Sequence, residues 1–326
     1  MRRLYCPACH ESIFFEQVLC GHCGARLVFD PLSLEFRCGD NEVACANRPL
    51  IGCNWLAQPD NSYCLSCSLT RTIPPLHSQR HIVLWRRVEQ AKRRLLHDLA
   101  RLKLPLSDKA GSRHITFDIL ADEGRPIITG HLNGLITLSL SEADDVEREA
   151  RRTAFREPYR TLLGHFRHEV GHFYWDLLVD RTKLQQPFRL IFGDETVGYQ
   201  ESIEQYHARA DRSFDRAAYI SEYATSHPWE DWAETFAHFL HIVSTLDSAS
   251  SLPLSIDGGL HQRLEDPYME KDFEALLASW MPVAYTVNEL NRSMGLSDAY
   301  PFELSRVVRG KLHFVHMVIL NFRKLA

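Results

Sequence analysis

From His81 to Lys103 apolar residues recur at threes and fours: Ile82, Trp85, Val88, Leu95, Leu99 and Leu102. The pattern predicts an amphipathic helix that stops at Pro105. Arg86, Arg87, Lys92, Arg93 and Arg94 fall between those positions and read as a solvated face rather than a phosphate-binding stripe. Ile115–Ala121 and Ile127–Leu140 predict strands, the second broken by the hairpin signal Asn133-Gly134. Leu135–Leu140 alternates apolar residues with Thr and Ser. It is expected at a sheet edge, open to an extended peptide or covered in the ordinary way. Ser141 to Asp145 resembles a helix start with acidic residues at its positive end.

The stretch Tyr159–Trp175 is apolar on most sides through Phe166, Val170, Phe173 and Tyr174, the pattern of a buried helix. An apolar run, Phe188–Phe192, precedes Gly193-Asp194-Glu195 and a helical stretch to Arg216. His227-Pro228 then prepares a helix over Trp229–His241. Further helices are expected over Asp266–Trp280, interrupted at Pro282, over Asn288–Gly295 with a glycine C-cap, and over Val307–Phe322. His313 and His316 in the last of these read as core histidines. The elements together give an α+β chain.

Composition narrows the function classes. The 326 residues carry 37 basic and 42 acidic side chains, a formal charge of -5, which is not the balance of a nucleic-acid-binding polycation. The start MRRLYCPACH lacks the apolar core of a signal peptide, and no apolar run approaches the ~18 residues of a membrane helix. A cytoplasmic, soluble chain with no membrane partner is therefore expected. All nine cysteines lie between Cys6 and Cys67. Cys6-x2-Cys9 and Cys20-x2-Cys23 have the spacing of a zinc ribbon, whose thiolates converge from two tight turns that Gly21 and Gly24 help to close. Disulfides do not suit a chain without an export signal, and iron is the lesser rival for four thiolates. A second cluster pairs Cys45 and Cys53 with Cys64 and Cys67 and leaves Cys38 spare; Cys38 replacing Cys45 is the alternative. Both sites read as structural, because residues 1–75 are too few to hold a core without metal.

The chemistry centres on His168-Glu169-Val170-Gly171-His172, an HExxH pattern. Positions i and i+4 of a helix share one face, so His168 and His172 can grip one zinc ion while Glu169 reaches a water on it. The competing reading is a buried helix with two hydrogen-bonded histidines. Gly171 speaks for close packing or a nearby ligand, since glycine costs about 1 kcal/mol against alanine in a helix interior. A third ligand is needed. Glu230, Glu234, His238 and His241 share a face of the Trp229–His241 helix. Glu234 is chosen as ligand, with His238 as a partner orienting a ligand; Glu195 is the runner-up and Glu230 the third choice. Tyr223 or His227 is the candidate oxyanion donor, against the plainer roles of packing for Tyr223 and capping for His227. His165 reads as a supporting or surface histidine.

HFRHEVGHFYW, FGDE, HPWEDWAETFAHFLH and NELNRSMGLSDAYPF together resemble the bacterial zinc-binding metallopeptidases that carry an N-terminal zinc-ribbon domain. The segments CANRPLIGCNWL and YCLSC resemble that family's ribbon, so the similarity covers nearly the whole chain. It implies a zincin-like (gluzincin) peptidase domain over 76–326 behind a ribbon module over 1–75. It also supports Glu234, because gluzincin third-ligand helices often read like WAETFAHFL. One catalytic and two structural zinc ions are expected. Glu169 would act as general base, and the substrate would be a protein or peptide, with a partner protein on the ribbons as a further expectation. The alternatives are a nucleic-acid-tethered SprT-like protease, disfavoured by the acidity, and a non-enzymatic adaptor with a structural zinc, disfavoured by the intact Glu169.

Overall fold

A computed structural model describes residues 2–39, 43–124, 127, 129–154, 157, 159–252 and 264–325. The chain divides into two compact units: Met1–Arg151 with Thr161–Phe166, and Arg152–Arg160 with Arg167–Ala326.

The first unit begins with two turns built alike. β1 (Leu4–Tyr5) pairs antiparallel with β2 (Ser12–Ile13), β3 (Leu27–Asp30) with β4 (Glu35–Cys38). In each CxxC turn the residue after the second cysteine is left-handed, His10 at φ 60° and Gly24 at φ 74°. Its amide reaches back to the first cysteine's carbonyl, His10 to Cys6 at 2.9 Å and Gly24 to Cys20 at 3.0 Å. Gly24 thus has the conformational role expected of it, whereas Gly21 does not adopt a positive φ. Two short helices, α1 (Arg48–Ile51) and α2 (Leu65–Ser68), follow. The buried Asn54 ties this second half to the first, donating to the Phe15 carbonyl at 2.5 Å and the Gln17 carbonyl at 3.2 Å.

β5 (Thr70–Thr72) precedes the long helix α3 (Gln79–Arg101), which is followed by β6 (Thr116–Leu120), β7 (Gly130–Leu132) and β8 (Leu135–Ser139). The sheet order is β5-β6-β8-β7, with β5 and β8 parallel to β6 and β7 antiparallel to β8. β8 is therefore an interior strand, not the expected edge. The Asn133-Gly134 turn, with φ 51° and 91°, folds β7 back onto it and takes up its outer hydrogen bonds. Ile128, within the expected second strand, lies outside the described residues. One face of α3 buries Trp85, Val88, Leu95 and Leu99. It also buries an ion pair, Lys92 to Glu89 at 2.7 Å, whose carboxylate further accepts from Thr70 at 3.0 Å and Trp85 at 3.3 Å. Each charge thus has partners that offset its loss of water. Two basic residues placed on the solvated face, Lys92 and Arg93, are buried.

A 3-10 turn over Leu140–Ala143 leads to α4 (Asp145–Ala154) and then α5 (Leu162–Leu178), which carries the HExxH sequence. In the second unit follow α6 (Gln185–Phe192), α7 (Tyr199–Ala208), α8 (Pro228–Ser251), α9 (Phe273–Ser293) and α10 (Arg306–Leu325). The core here is aromatic: Phe188, Trp232, Phe236 and Phe314 meet around α8. Lys311 reaches Asp231 at 2.6 Å inside it. Three sequence expectations change. The helix expected to run to Arg216 stops at Ala208. The helices expected on either side of Pro282 are one helix, which tolerates a single missing amide and is followed, after Met294, by a left-handed Gly295 at φ 75°. Finally, His316 is in the core, donating to the Glu270 carbonyl at 2.9 Å, but His313 is exposed and stacks on Phe273. No helix among the described residues is long and apolar enough to cross a membrane.

A methyl group at Gly134 would meet the His114 carbonyl in a left-handed backbone. Gly134→Ala should therefore lower unfolding free energy by about 1–3 kcal/mol, read from the urea midpoint.

Candidate metal centre

The centre is made where α5 crosses α8. A Cβ on Gly171 would lie 3.0 Å from the Ala233 Cα and 3.3 Å from the Phe236 Cβ, so only glycine permits this approach. The crossing is pinned by the Trp232 indole, which donates to the Gly171 carbonyl at 2.8 Å. At this distance two carboxylates one turn apart on α8, Glu230 and Glu234, both reach His168.

They reach different atoms of it. His168 Nδ1 lies 2.8 Å from Glu234 Oε1, and His168 Nε2 lies 2.9 Å from Glu230 Oε2. The same Glu230 oxygen is 3.3 Å from His172 Nε2, and the two Nε2 atoms are 3.2 Å apart. His168, His172 and Glu230 thus converge on one point, while Glu234 holds the far side of the first imidazole. Of the carboxylates weighed as third ligand, Glu230 lies beside the two Nε2 atoms and Glu234 beside Nδ1 of His168. Both lie on the face read from the sequence, but Glu230 sits a turn closer to the helix start, level with the Nε2 atoms. Glu195, the runner-up, is engaged by Arg189 Nε at 2.9 Å and Gln185 at 2.9 Å.

The donor set suits a metal. A tetrahedral ion with ligands near 2.1 Å has ligand–ligand edges of about 3.4 Å, close to the distances found. With its Nδ1 proton given to Glu234, a neutral His168 turns a lone pair toward another imidazole nitrogen and a carboxylate oxygen. That arrangement of a neutral His168 is one a metal ion would complete. With the side chains alone, the positive charge between the two carboxylates is carried by His168 itself. Burial opposes charging His168, yet its hydrogen bonds to Glu230 and Glu234 hold the imidazole well above its ordinary pKa. Burial likewise opposes ionising Glu230, but the His172 and His168 imidazoles hold it well below the carboxylate range. Glu234 is brought down to about 2 against burial, chiefly by its hydrogen bond with His168. Glu169 moves the other way: burial pushes its carboxyl up, with the two imidazoles working against the rise.

Other residues surround the cluster. The Trp229 ring lies 3.8 Å from that of His172. Ser221 donates to Glu234 at 2.6 Å, and Tyr199 to the second Glu230 oxygen at 2.7 Å. The sequence singled out neither: Tyr199 opens a short helix after an irregular loop, with no motif to mark it. The Tyr223 ring lies 5.7 Å from His168, and burial raises its hydroxyl well above 10. His227 has both nitrogens occupied, Nδ1 accepting from the Trp229 amide at 3.1 Å and Nε2 donating to the Val197 carbonyl at 3.1 Å. It caps α8, the plainer of its two expected roles. His238 meets the Tyr300 hydroxyl at 2.9 Å, and burial lowers its pKa to about 4. The sequence expects His238 to orient a ligand; the group on His168 Nδ1 is Glu234. In the first unit, His165 lies 3.3 Å from Glu142.

The first unit holds two four-cysteine clusters: Cys6, Cys9, Cys20 and Cys23, and Cys45, Cys53, Cys64 and Cys67. The sulfurs of Cys6 and Cys23, and those of Cys9 and Cys20, are 3.7 Å apart; Cys53 and Cys64 are 3.6 Å apart. A disulfide needs about 2.05 Å, whereas tetrahedral thiolates at 2.3 Å from zinc have edges of about 3.75 Å. Cys38 ends β4 outside both clusters. The Cys53 thiol is lowered: its neighbouring thiols act most strongly, Cys45 upward and Cys64 and Cys67 downward, and the cation of the buried Arg93 adds to the lowering.

The family profile described as "Putative zinc-binding metallo-peptidase" matches residues 81–318, and a zinc-ribbon domain profile matches residues 3–78. The chain belongs to this metallopeptidase family. Relatives from Mycobacterium bovis and from two strains of Mycobacterium tuberculosis, each designated an uncharacterized protein, are 38% identical over 328 residues. The match covers 98% of this chain and 95% of each relative. No solved structure gives a significant match. In this chain the peptidase profile spans both histidines, Glu230 and Glu234, and the ribbon profile spans both cysteine clusters.

Adding a methyl at the α5–α8 crossing must spread the helices. Gly171→Ala should cost about 1–3 kcal/mol in chemical unfolding and lower zinc content at the histidine centre, measured by metal analysis.

Proposed function

We propose that this chain is a zinc-dependent peptidase that hydrolyses peptide bonds with Glu169 as general base, in a gluzincin-like, zincin-type domain. The observation that carries the reading is the convergence of His168 Nε2, His172 Nε2 and Glu230 Oε2 beside a buried, unligated Glu169. A purely structural site needs no base. The ligands would be His168, His172 and Glu230, with one ion in each cysteine cluster as structural zinc.

Zinc held there supplies a Lewis acid that polarises a carbonyl and lowers the pKa of a bound water to about 7. The side chains do the rest. Glu234 accepts the Nδ1 proton of His168 and so keeps its Nε2 lone pair facing the centre; Ser221 holds Glu234 in turn. Glu169, its carboxyl raised by burial, takes the proton of the attacking water and returns it to the leaving amine. His227 is committed to capping, so the oxyanion role falls to Tyr223, whose hydroxyl stays protonated. Tyr199 fixes the orientation of Glu230. The substrate class is protein or peptide, consistent with the family's description.

Glu169→Gln should keep its zinc and lose cleavage of a mixed peptide library by a factor of about 100 or more. Equal cleavage by both proteins would reject the mechanism. Glu230→Ala should empty the histidine centre, whereas Glu234→Ala should weaken zinc binding about 10–100-fold. Metal content against a graded chelator distinguishes the two, and the reverse order would restore Glu234 as the ligand.

A further inference from the structure

We propose that His77, His81 and Glu123 form a further, solvent-accessible binding site for a divalent transition metal of the zinc class. All three lie in the first unit, and one ligand atom from each falls within 4.8 Å of the others. His81 lies in the first turn of α3 and His77 just before that helix, their ring centroids 5.5 Å apart.

The site has the features of a prepared one. His81 Nδ1 donates to the Pro75 carbonyl at 2.9 Å, which fixes the tautomer and leaves Nε2 as the metal-binding atom. Pro74 and Pro75 stiffen the segment that presents His77. The loop presenting Glu123 is shaped by its neighbour. Asp122 accepts from the Ile127 amide at 2.8 Å and from Ser139 at 2.9 Å, and the Glu123 amide turns back to the Ala121 carbonyl at 2.9 Å.

Two imidazoles and a carboxylate favour zinc, cobalt, nickel or copper over calcium and magnesium, which prefer oxygen. Three protein ligands on an accessible surface leave coordination positions to water, so the ion exchanges far more readily than one inside four buried thiolates. Occupancy would clip the segment after β5 to the loop after β6, making that clip responsive to available zinc.

The test is a Zn2+ titration of the full-length chain, already loaded at its cysteine clusters and histidine centre, against a chromogenic chelator. One additional, weaker ion per chain is expected. His77→Ala and Glu123→Gln should each weaken it about tenfold or more, with the tightly held zinc unchanged. Both side chains are exposed, so neither substitution threatens folding. Cu2+ electron paramagnetic resonance should show imidazole nitrogen coupling that diminishes in His77→Ala. Absence of the extra ion, or equal affinity in wild type and both variants, overturns the site.

Discussion

Everything at the histidine centre depends on how closely α5 and α8 approach at Gly171 and Ala233. An HExxH turn by itself offers two nitrogens on one helix face and cannot complete a coordination shell. The remaining donors come from a helix more than fifty residues on, and their reach is fixed by the backbone separation at the crossing. A side chain at Gly171 would hold α8 away. Trp232 then secures what the glycine permits, with its indole satisfying a carbonyl of α5.

Given that approach, the i, i+4 geometry of α8 sorts two chemically identical carboxylates. Glu230 meets the Nε2 atoms, and Glu234, one turn further along, meets only the back of His168. Glu234 is in turn committed by Ser221 and Glu230 by Tyr199. Glu169 has a raised carboxyl next to neighbours held low, a separation of proton affinities that suits the division of base from ligand proposed above.

Much of this was legible in the residues. Cysteine spacing identified both clusters because a CxxC turn is a local object, and the observed left-handed His10 and Gly24 are local too. The histidine pair was legible for the same reason. The choice between Glu230 and Glu234 was not: both lie on the correct face, and only the level at which α8 meets α5 decides. Tyr199 and Ser221 come from irregular segments whose paths no periodicity records. The edge position assigned to β8 failed because the hairpin signal was read as a break in one strand rather than as a fold-back that supplies the edge itself. Lys92 and Arg93 broke the expectation of a solvated face because that reading cannot see the carboxylate and the thiols waiting for them.

Arg93 has a wider consequence. Four thiolates around a divalent ion leave a double negative charge in a buried setting, and the Arg93 guanidinium, together with that of Arg48, supplies the counter-charge to Cys53. If the ion departs and the thiols take up protons, that negative charge disappears while Arg93 remains enclosed. Demetallation therefore strands a cation in the protein interior, and the helix that bears it inherits a penalty that originates in the neighbouring ribbon.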